Sequence, residues 1–254
     1  MSDPKPVRNV IFDFGGVLVN WQPEAIIERF YAEPALRDAI RTHAFQHDDW
    51  LEMDRGTLDE PTVIHRLAAR MARPEAEMAA LFDHVRASLT PIEPTVALLA
   101  ELHERGFRLY GLSNMSVSIF EHLRSLHAFF GLFHGIVVSA AVKSVKPEPA
   151  IYEQLRSQFA LDFGESVFID DLPRNVESAR ALGLSAIRFE STAQVRRELE
   201  PLLSRDEIDG HSPTQLPLSA HCMVQRGHPR SGAIRVGAVL EQEHSHRNLT
   251  ASAV

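Results

Sequence analysis

The chain has 254 residues, enough for one large domain or one domain carrying an insertion. Hydrophobic residues make up 44% and charged residues 24%, which excludes collagen, coiled coil and wholesale disorder. With 26 basic against 34 acidic residues the net charge is −8, so the basic field that non-specific nucleic-acid binding draws on is missing. The single cysteine, Cys222, has no intramolecular partner, which fits a reducing compartment. Met1 to Pro6 carries no apolar signal core and no 18-residue apolar run follows. These features predict a soluble, cytoplasmic protein without membrane or nucleic-acid partners. Lysine stands only at 5, 143 and 146, so 23 of the 26 basic residues are arginine. In such a chain a surviving lysine marks a place where a compact ammonium serves better than a guanidinium fork.

Val7 to Phe12 is a β-branched run ending at Asp13, the pattern of a strand buried on both faces. Phe14-Gly15-Gly16 breaks it. From Pro23 to about Ala87 the periodicity turns helical, with segments at Glu24 to Ala32, Pro34 to His43, Glu60 to Met71 and Pro74 to Ala87. Trp50, Met53 and Arg55 fall in the turn between these helices. After Pro91 helices and strands alternate. The helices are Pro94 to Arg105, Val117 to Leu126, Pro149 to Phe159, Arg174 to Leu182 and Ala193 to Leu203. The strands are Phe107 to Leu112, Gly135 to Ser139, Ser166 to Ile169 and Ser185 to Phe189. Such alternation means βαβ units and a parallel sheet. The predicted fold is therefore a doubly wound α/β core (1–20 and 90–204) with an inserted α-helical cap (21–89). Residues 205–254, rich in His, Ser, Gly and Pro, read as a poorly ordered tail with one weak strand, Ala233 to Leu240. The five histidines there fit no metal-ligand spacing.

In an open parallel sheet, ligands bind beyond the carboxyl ends of the strands. Those ends carry Asp13, then Ser113-Asn114, then the loop with Lys143 and Lys146, then Asp170-Asp171. A strand often ends on an Asp that caps the next helix, so one such residue signifies little. Four complementary types at four ends point to a phosphoryl group. Carboxylates with a backbone carbonyl make a hard oxygen site suited to Mg²⁺. The Ser113 hydroxyl and Lys146 ammonium can hold the remaining phosphoryl oxygens, and Asp13 can attack phosphorus.

The segments I-F-D-F-G-G-V-L-V, L-S-N, K-P-E-P-A-I-Y and F-I-D-D-L-P-R-N-V-E-S-A-R-A-L-G resemble the four motifs of the haloacid dehalogenase-like hydrolase superfamily, over roughly residues 7 to 200. The chain is most similar to the subgroup with a helical cap after the first strand. The resemblance implies Asp13 as nucleophile, Ser113, Asn114 and Lys146 as phosphate holders, and Asp13, Asp171 and the Gly15 carbonyl as Mg²⁺ ligands. Asp170 and Asn175 are implied as supports behind the metal site, although Asn175 equally suits a plain helix residue. The implied substrate is a small phosphomonoester, a sugar phosphate being one candidate.

Gly15 departs from the pattern. Phosphatases of this superfamily usually read D-x-D-x-[TV], the second Asp protonating the leaving group and then activating water. A general acid/base of this kind contributes about 10²–10⁴ in rate. Three explanations stand: a leaving group that needs no acid, a proton from a cap residue (His47, Asp48, Asp49, Glu52 or Asp54), or a weak or inactive phosphatase. A subgroup resembling sugar 1-phosphate phosphatases also carries glycine here. Two other readings remain open. The superfamily's 2-haloacid dehalogenases also lack the second Asp, but typically place an aromatic residue at that position and no acidic pair where this chain has Asp170-Asp171. A non-catalytic protein binding phosphate or a partner needs no nucleophile. Trp50, Met53 and Arg55 are candidate substrate contacts or cap packing.

Overall fold

The computed structural model describes residues 6–203. Cys222, the tail histidines and the predicted strand at 233–240 lie outside them. Five parallel strands form one sheet: β1 Asn9–Phe12, β2 Arg108–Ser113, β3 Gly135–Val138, β4 Ser166–Asp170 and β5 Ser185–Arg188. Their order is β3-β2-β1-β4-β5. The chain leaves β1 to one side and later returns to β4 on the other, so a crevice opens over the carboxyl end of β1. The register sets Phe12 level with Gly111 and Ile169. That places Asp13, Ser113 and Asp170 together at the carboxyl end of the sheet.

Side chains alternate across β1, and both faces are covered. Val10 and Phe12 join Leu109, Val167 and Ile169 on one side, while Ile11 joins Tyr110, Leu112 and Phe168 on the other. The first side packs under α6 Glu93–Glu104, α7 Val117–Leu126 and α11 Thr192–Leu199, and the second under α9 Pro149–Phe159 and α10 Pro173–Ala181. The short α8 Ser139–Val142 follows β3, so the strand predicted to include Ser139 ends one residue earlier. No helix among the described residues is long and apolar enough to cross a membrane.

Between β1 and α6 stand α1 Pro23–Phe30, α2 Pro34–Ile40, a π-helical turn Arg41–Phe45, α3 Asp48–Arg55, α4 Glu60–Met71 and α5 Glu75–Ser88. This block has its own apolar core, including Ile27, Ile40, Met53, Leu67, Phe82 and Val85. α3 corrects the placing of Trp50, Met53 and Arg55 in a turn. The charges of D-D-W-L-E-M-D-R hide the three-residue spacing of Trp50 and Met53, the buried face of the helix. His47 caps it by accepting the Asp49 N–H at Nδ1, with Asp48 and Asp49 at the positive end of the helix dipole. Gly56 ends it in the left-handed region (φ 76°), and a Cβ there would stand 2.3 Å from the Ala140 carbonyl oxygen, so the block meets α8 where only glycine fits.

The seam between the block and the sheet-bearing part carries many polar links. Arg55 Nη2 lies 2.7 Å from Glu148 Oε1, Ser118 Oγ donates to Glu60 at 2.7 Å, Ser139 Oγ donates to the Asp54 carbonyl at 2.5 Å, and Lys143 Nζ donates to the Gly56 carbonyl.

Candidate active site

Asp13 emerges where β1 gives way to a tight turn, in which Leu18 and Val19 donate backbone N–H groups to the Phe14 carbonyl. Its Oδ1 accepts the Phe14 N–H at 2.7 Å and lies 2.8 Å from Lys146 Nζ. The same ammonium donates to Asp170 Oδ2 at 2.7 Å and is 2% exposed. Asp170 is fully buried and saturated: Leu172 N–H donates to Oδ1 at 2.8 Å, and Asn175 Nδ2 reaches both oxygens at 2.9 and 3.0 Å. Asn175, on α10, therefore fixes Asp170 rather than serving as a plain helix residue. Asp171 is half-buried and faces the cavity.

Of the backbone or amide donor expected at Asn114, the side-chain amide is occupied within the fold. Its Oδ1 accepts the Lys146 N–H at 2.7 Å and its Nδ2 donates to the Lys146 carbonyl at 2.9 Å, so both ends of the amide clamp the lysine loop to the end of β2. Ser113, 1% exposed, lines the cavity beside Asp13 and Lys146.

Burial pushes the Asp13 carboxyl up to about 8; Lys146 pulls the other way, and Asp170 and Asp171 add repulsion. Burial also raises Asp171, with Asp170 next. Burial alone would lower Lys146, but the attraction of Asp13 and Asp170 outweighs it and holds the ammonium above its ordinary range. Oxygens of Asp13, Asp170 and Asp171 lie within 4.8 Å of one another. Three carboxyl groups, with burial resisting the ionisation of Asp13 and Asp171, face one ammonium in a space lined by hard oxygen donors, and the donor set fits a divalent cation of the Mg²⁺ type, which would favour their charged forms. With Asp170 saturated, Asp13 and Asp171 are left as carboxylate donors among the described residues, and Gly15 lines the same cavity. Gly16 belongs to the same cradle: at φ 76°, a Cβ there would lie 2.6 Å from Asp171 Oδ2.

The wider cavity, about 510 Å³, takes its far wall from the helical block. Trp21, Phe45, Trp50 and Leu51 face Met115 and Ile119 across it. Trp21 stacks on Trp50 with ring centroids 5.8 Å apart, and Phe45 lies 4.7 Å from Trp50. Among the candidate contacts, Trp50 lines the cavity, Met53 is core at 1% exposure, and Arg55 pairs with Glu148. Three segments supply this aromatic wall, and Trp21 and Phe45 carry no chemical motif that would single them out in the sequence.

The five proton-donor candidates separate. Burial opposes charge on Asp49, but hydrogen bonds from Arg70 and Arg66 prevail and hold it ionised, below the usual carboxylate range. Glu52 is engaged by Thr57 and Arg55. His47, Asp48 and Asp54 line the cavity. Asp54 is partly buried, accepts the Ser116 backbone N–H and the Trp50 indole N–H, and is pushed by burial up to about 7.

The sequence profile of haloacid dehalogenase-like hydrolases matches residues 7–183. The chain belongs to this family, and it is an enzyme. A sesquiterpene phosphatase of Aspergillus oryzae is 30% identical to this haloacid dehalogenase-like hydrolase over 196 residues, covering 77% of this chain and 96% of that one. A HAD family enzyme of Bacteroides thetaiotaomicron, solved with magnesium and inorganic phosphate, superposes with a TM-score of 0.57 at 22% identity, covering 72% of this chain and 93% of that chain. The L-2-haloacid dehalogenase of Xanthobacter autotrophicus with chloropropionic acid covalently bound shares the fold at a TM-score of 0.57 and 22% identity, covering 77% and 83%. These likenesses fix the α/β core as that of the hydrolase family.

Proposed function

We propose that this hydrolase is a Mg²⁺-dependent phosphomonoesterase working through an aspartyl-phosphate on Asp13. The observation that carries the reading is the buried Lys146 ammonium joining Asp13 to Asp170, with Asp171 open to the same cavity. Asp13 attacks phosphorus through a carboxylate oxygen, and the alcohol departs. Ser113 and Lys146 hold the phosphoryl oxygens as charge moves onto them. Asn114 keeps Lys146 in place, while Asp170 and Asn175 hold its ammonium at the nucleophile. Mg²⁺ bound by Asp13, Asp171 and the Gly15 carbonyl would offset repulsion between anionic nucleophile and anionic substrate.

Helices α1–α5, residues 21–89, act in this reading as a cap that closes over residues 7–20 and 90–203 and excludes water. The cavity wall speaks on the substrate's other half. The lining mixes polar side chains, Gln46, His47, Asp48 and Arg174, with an apolar set, Trp21, Phe45, Trp50, Leu51, Met115 and Ile119, that sugar hydroxyls would leave unused. The favoured substrate is therefore the phosphate ester of an apolar alcohol rather than of a sugar, in keeping with the sesquiterpene phosphatase relative. The acidic pair Asp170-Asp171 disfavours dehalogenation, which has no use for a divalent cation.

The test is hydrolysis of p-nitrophenyl phosphate by wild type and Asp13→Asn, with Mg²⁺ and with EDTA. Metal-dependent turnover that vanishes in the variant is expected. Absence of turnover by the wild type with Mg²⁺ overturns the reading and directs attention to halide release from 2-chloropropionate.

A further inference from the structure

Gly15 removes a carboxylate from the floor of the site, and the structure shows what stands beside it. A Cβ built at residue 15 would already touch Trp21, 3.4 Å from its Cβ and 3.6 Å from its Cγ, so a longer side chain is bounded on that side by the indole wall. A proton for the leaving oxygen has to come from elsewhere in the cavity. We propose that Asp54, on cap helix α3, is that donor, and that as a carboxylate it then takes the proton of the attacking water.

The inference rests on the phosphomonoesterase reading and on four features of the chain. Asp54 lines the same cavity as Asp13, Ser113, Lys146 and Asp171. Its partners are neutral donors, the Trp50 indole N–H and the Ser116 N–H, and among the described residues no ion pair reaches it. The cap's other shielded carboxylates are held by arginine: Asp49 by Arg66 and Arg70, Glu60 by Arg86. The position is fixed from both sides, since the Asp54 carbonyl accepts Ser139 Oγ at 2.5 Å and Gly56 presses α3 against Ala140.

The charged groups on the surrounding elements are directed elsewhere. Arg55 pairs with Glu148 just before α9, Glu52 with Thr57 and Arg55, and Lys143 just after α8 with the Gly56 carbonyl. Asp48 is exposed at the start of α3, while Asp13, Asp171, Lys146, His47 and Arg174 share the cavity. Burial that raises Asp54 to about 7 leaves it able both to give and to take a proton near neutral pH.

The chemistry balances as follows. The Asp13 carboxylate forms the new P–O bond, the P–O bond to the alcohol breaks, and the Asp54 carboxylic acid protonates the departing oxygen. Water then attacks phosphorus and gives its proton to the Asp54 carboxylate. Phosphate leaves, and Asp13 returns as a carboxylate.

The experiment compares wild type and Asp54→Asn on phosphate esters of graded leaving-group acidity, from p-nitrophenyl phosphate to n-octyl phosphate, with Mg²⁺ present. A positioned acid flattens the dependence of rate on the leaving group. In kcat/KM, which reports the steps up to departure of the alcohol, the variant should therefore lose about 10²–10⁴ on n-octyl phosphate and under about tenfold on p-nitrophenyl phosphate, while the missing base lowers kcat on both. Asp54→Glu should recover part of the n-octyl rate. Equal losses of kcat/KM on both esters, or no loss on either, overturn the proposal. So does a wild type whose own rate falls steeply as the leaving group becomes more basic, a result that needs no variant. Should Asp54→Asn fail to fold, Asp54→Ala is carried through the same series. A wild type inactive on p-nitrophenyl phosphate instead removes the phosphatase reading, a separate and recognisable failure.

Discussion

Lys146→Met tests whether the ammonium is the keystone of the strand-end cluster. The substitution keeps an unbranched stem of similar length and deletes the charge 2.8 Å from Asp13 and 2.7 Å from Asp170. With carboxylate oxygens of the two aspartates within 4.8 Å, their unopposed repulsion is at least about 3.5 kcal/mol at an effective dielectric of about 20. Removing one partner of a buried pair costs about 3–5 kcal/mol in general, so both routes predict a loss of about 3–5 kcal/mol out of the 5–15 typical of a domain. The loss depends on pH. In the folded wild type the Asp13 carboxyl titrates at about 8 rather than at its ordinary 3.8, so protonation favours the folded state between those values. Below about 8 Asp13 is increasingly neutral when folded, and there is less charge for Lys146 to oppose. The variant should therefore fall further behind wild type at about pH 8.5 than at about pH 6. Urea unfolding at the two pH values, in EDTA, measures the difference. A deficit below about 1 kcal/mol at the higher pH, or an equal deficit at both, refutes the argument. Lys146→Arg should fail to rescue activity, because a site 2% exposed has no room for the wider guanidinium.

Without metal, wild-type stability should fall as pH rises from about 4 to about 8, since Asp13 binds its proton more tightly folded than unfolded. Mg²⁺ favours ionised carboxylates, so it should raise the melting temperature more at about pH 8 than at about pH 5.5 in scanning calorimetry. Gly16→Ala forces an L side chain to φ 76° and a Cβ to 2.6 Å from Asp171 Oδ2; it should cost about 1–2 kcal/mol and raise the Mg²⁺ concentration for half-maximal turnover several-fold. Asp49→Ala strands Arg66 and Arg70 and should cost about 1.5–3 kcal/mol in urea melts, leaving turnover of p-nitrophenyl phosphate unchanged.

The sheet and the strand-end chemistry were readable in the sequence because each depends on short-range pattern. A buried parallel strand is an apolar run, and the polar residue that ends it must face the crevice. α3 escaped because its helical face is two residues, Trp50 and Met53, among charges, and its cap is a histidine. The Asn114 clamp joins residues 32 apart, and no local feature distinguishes an amide that serves the backbone from one that serves a ligand. The five cap candidates for a proton donor were equivalent as letters. What separates Asp49 from Asp54 is the presence or absence of an arginine on a neighbouring helix, which is decided by packing.

The polar seam between the helical block and the sheet has a mechanical consequence. An ion pair at Arg55–Glu148, a hydroxyl at Ser118 and another at Ser139 are links that water can replace one for one. Each side also keeps its own apolar core. Parting the two along this line would melt neither half, and Trp21, which packs against both cores, is an apolar contact it would expose. The same design predicts a joint that loosens with ionic strength, since its exposed charge pairs are screened while the aromatic wall is not.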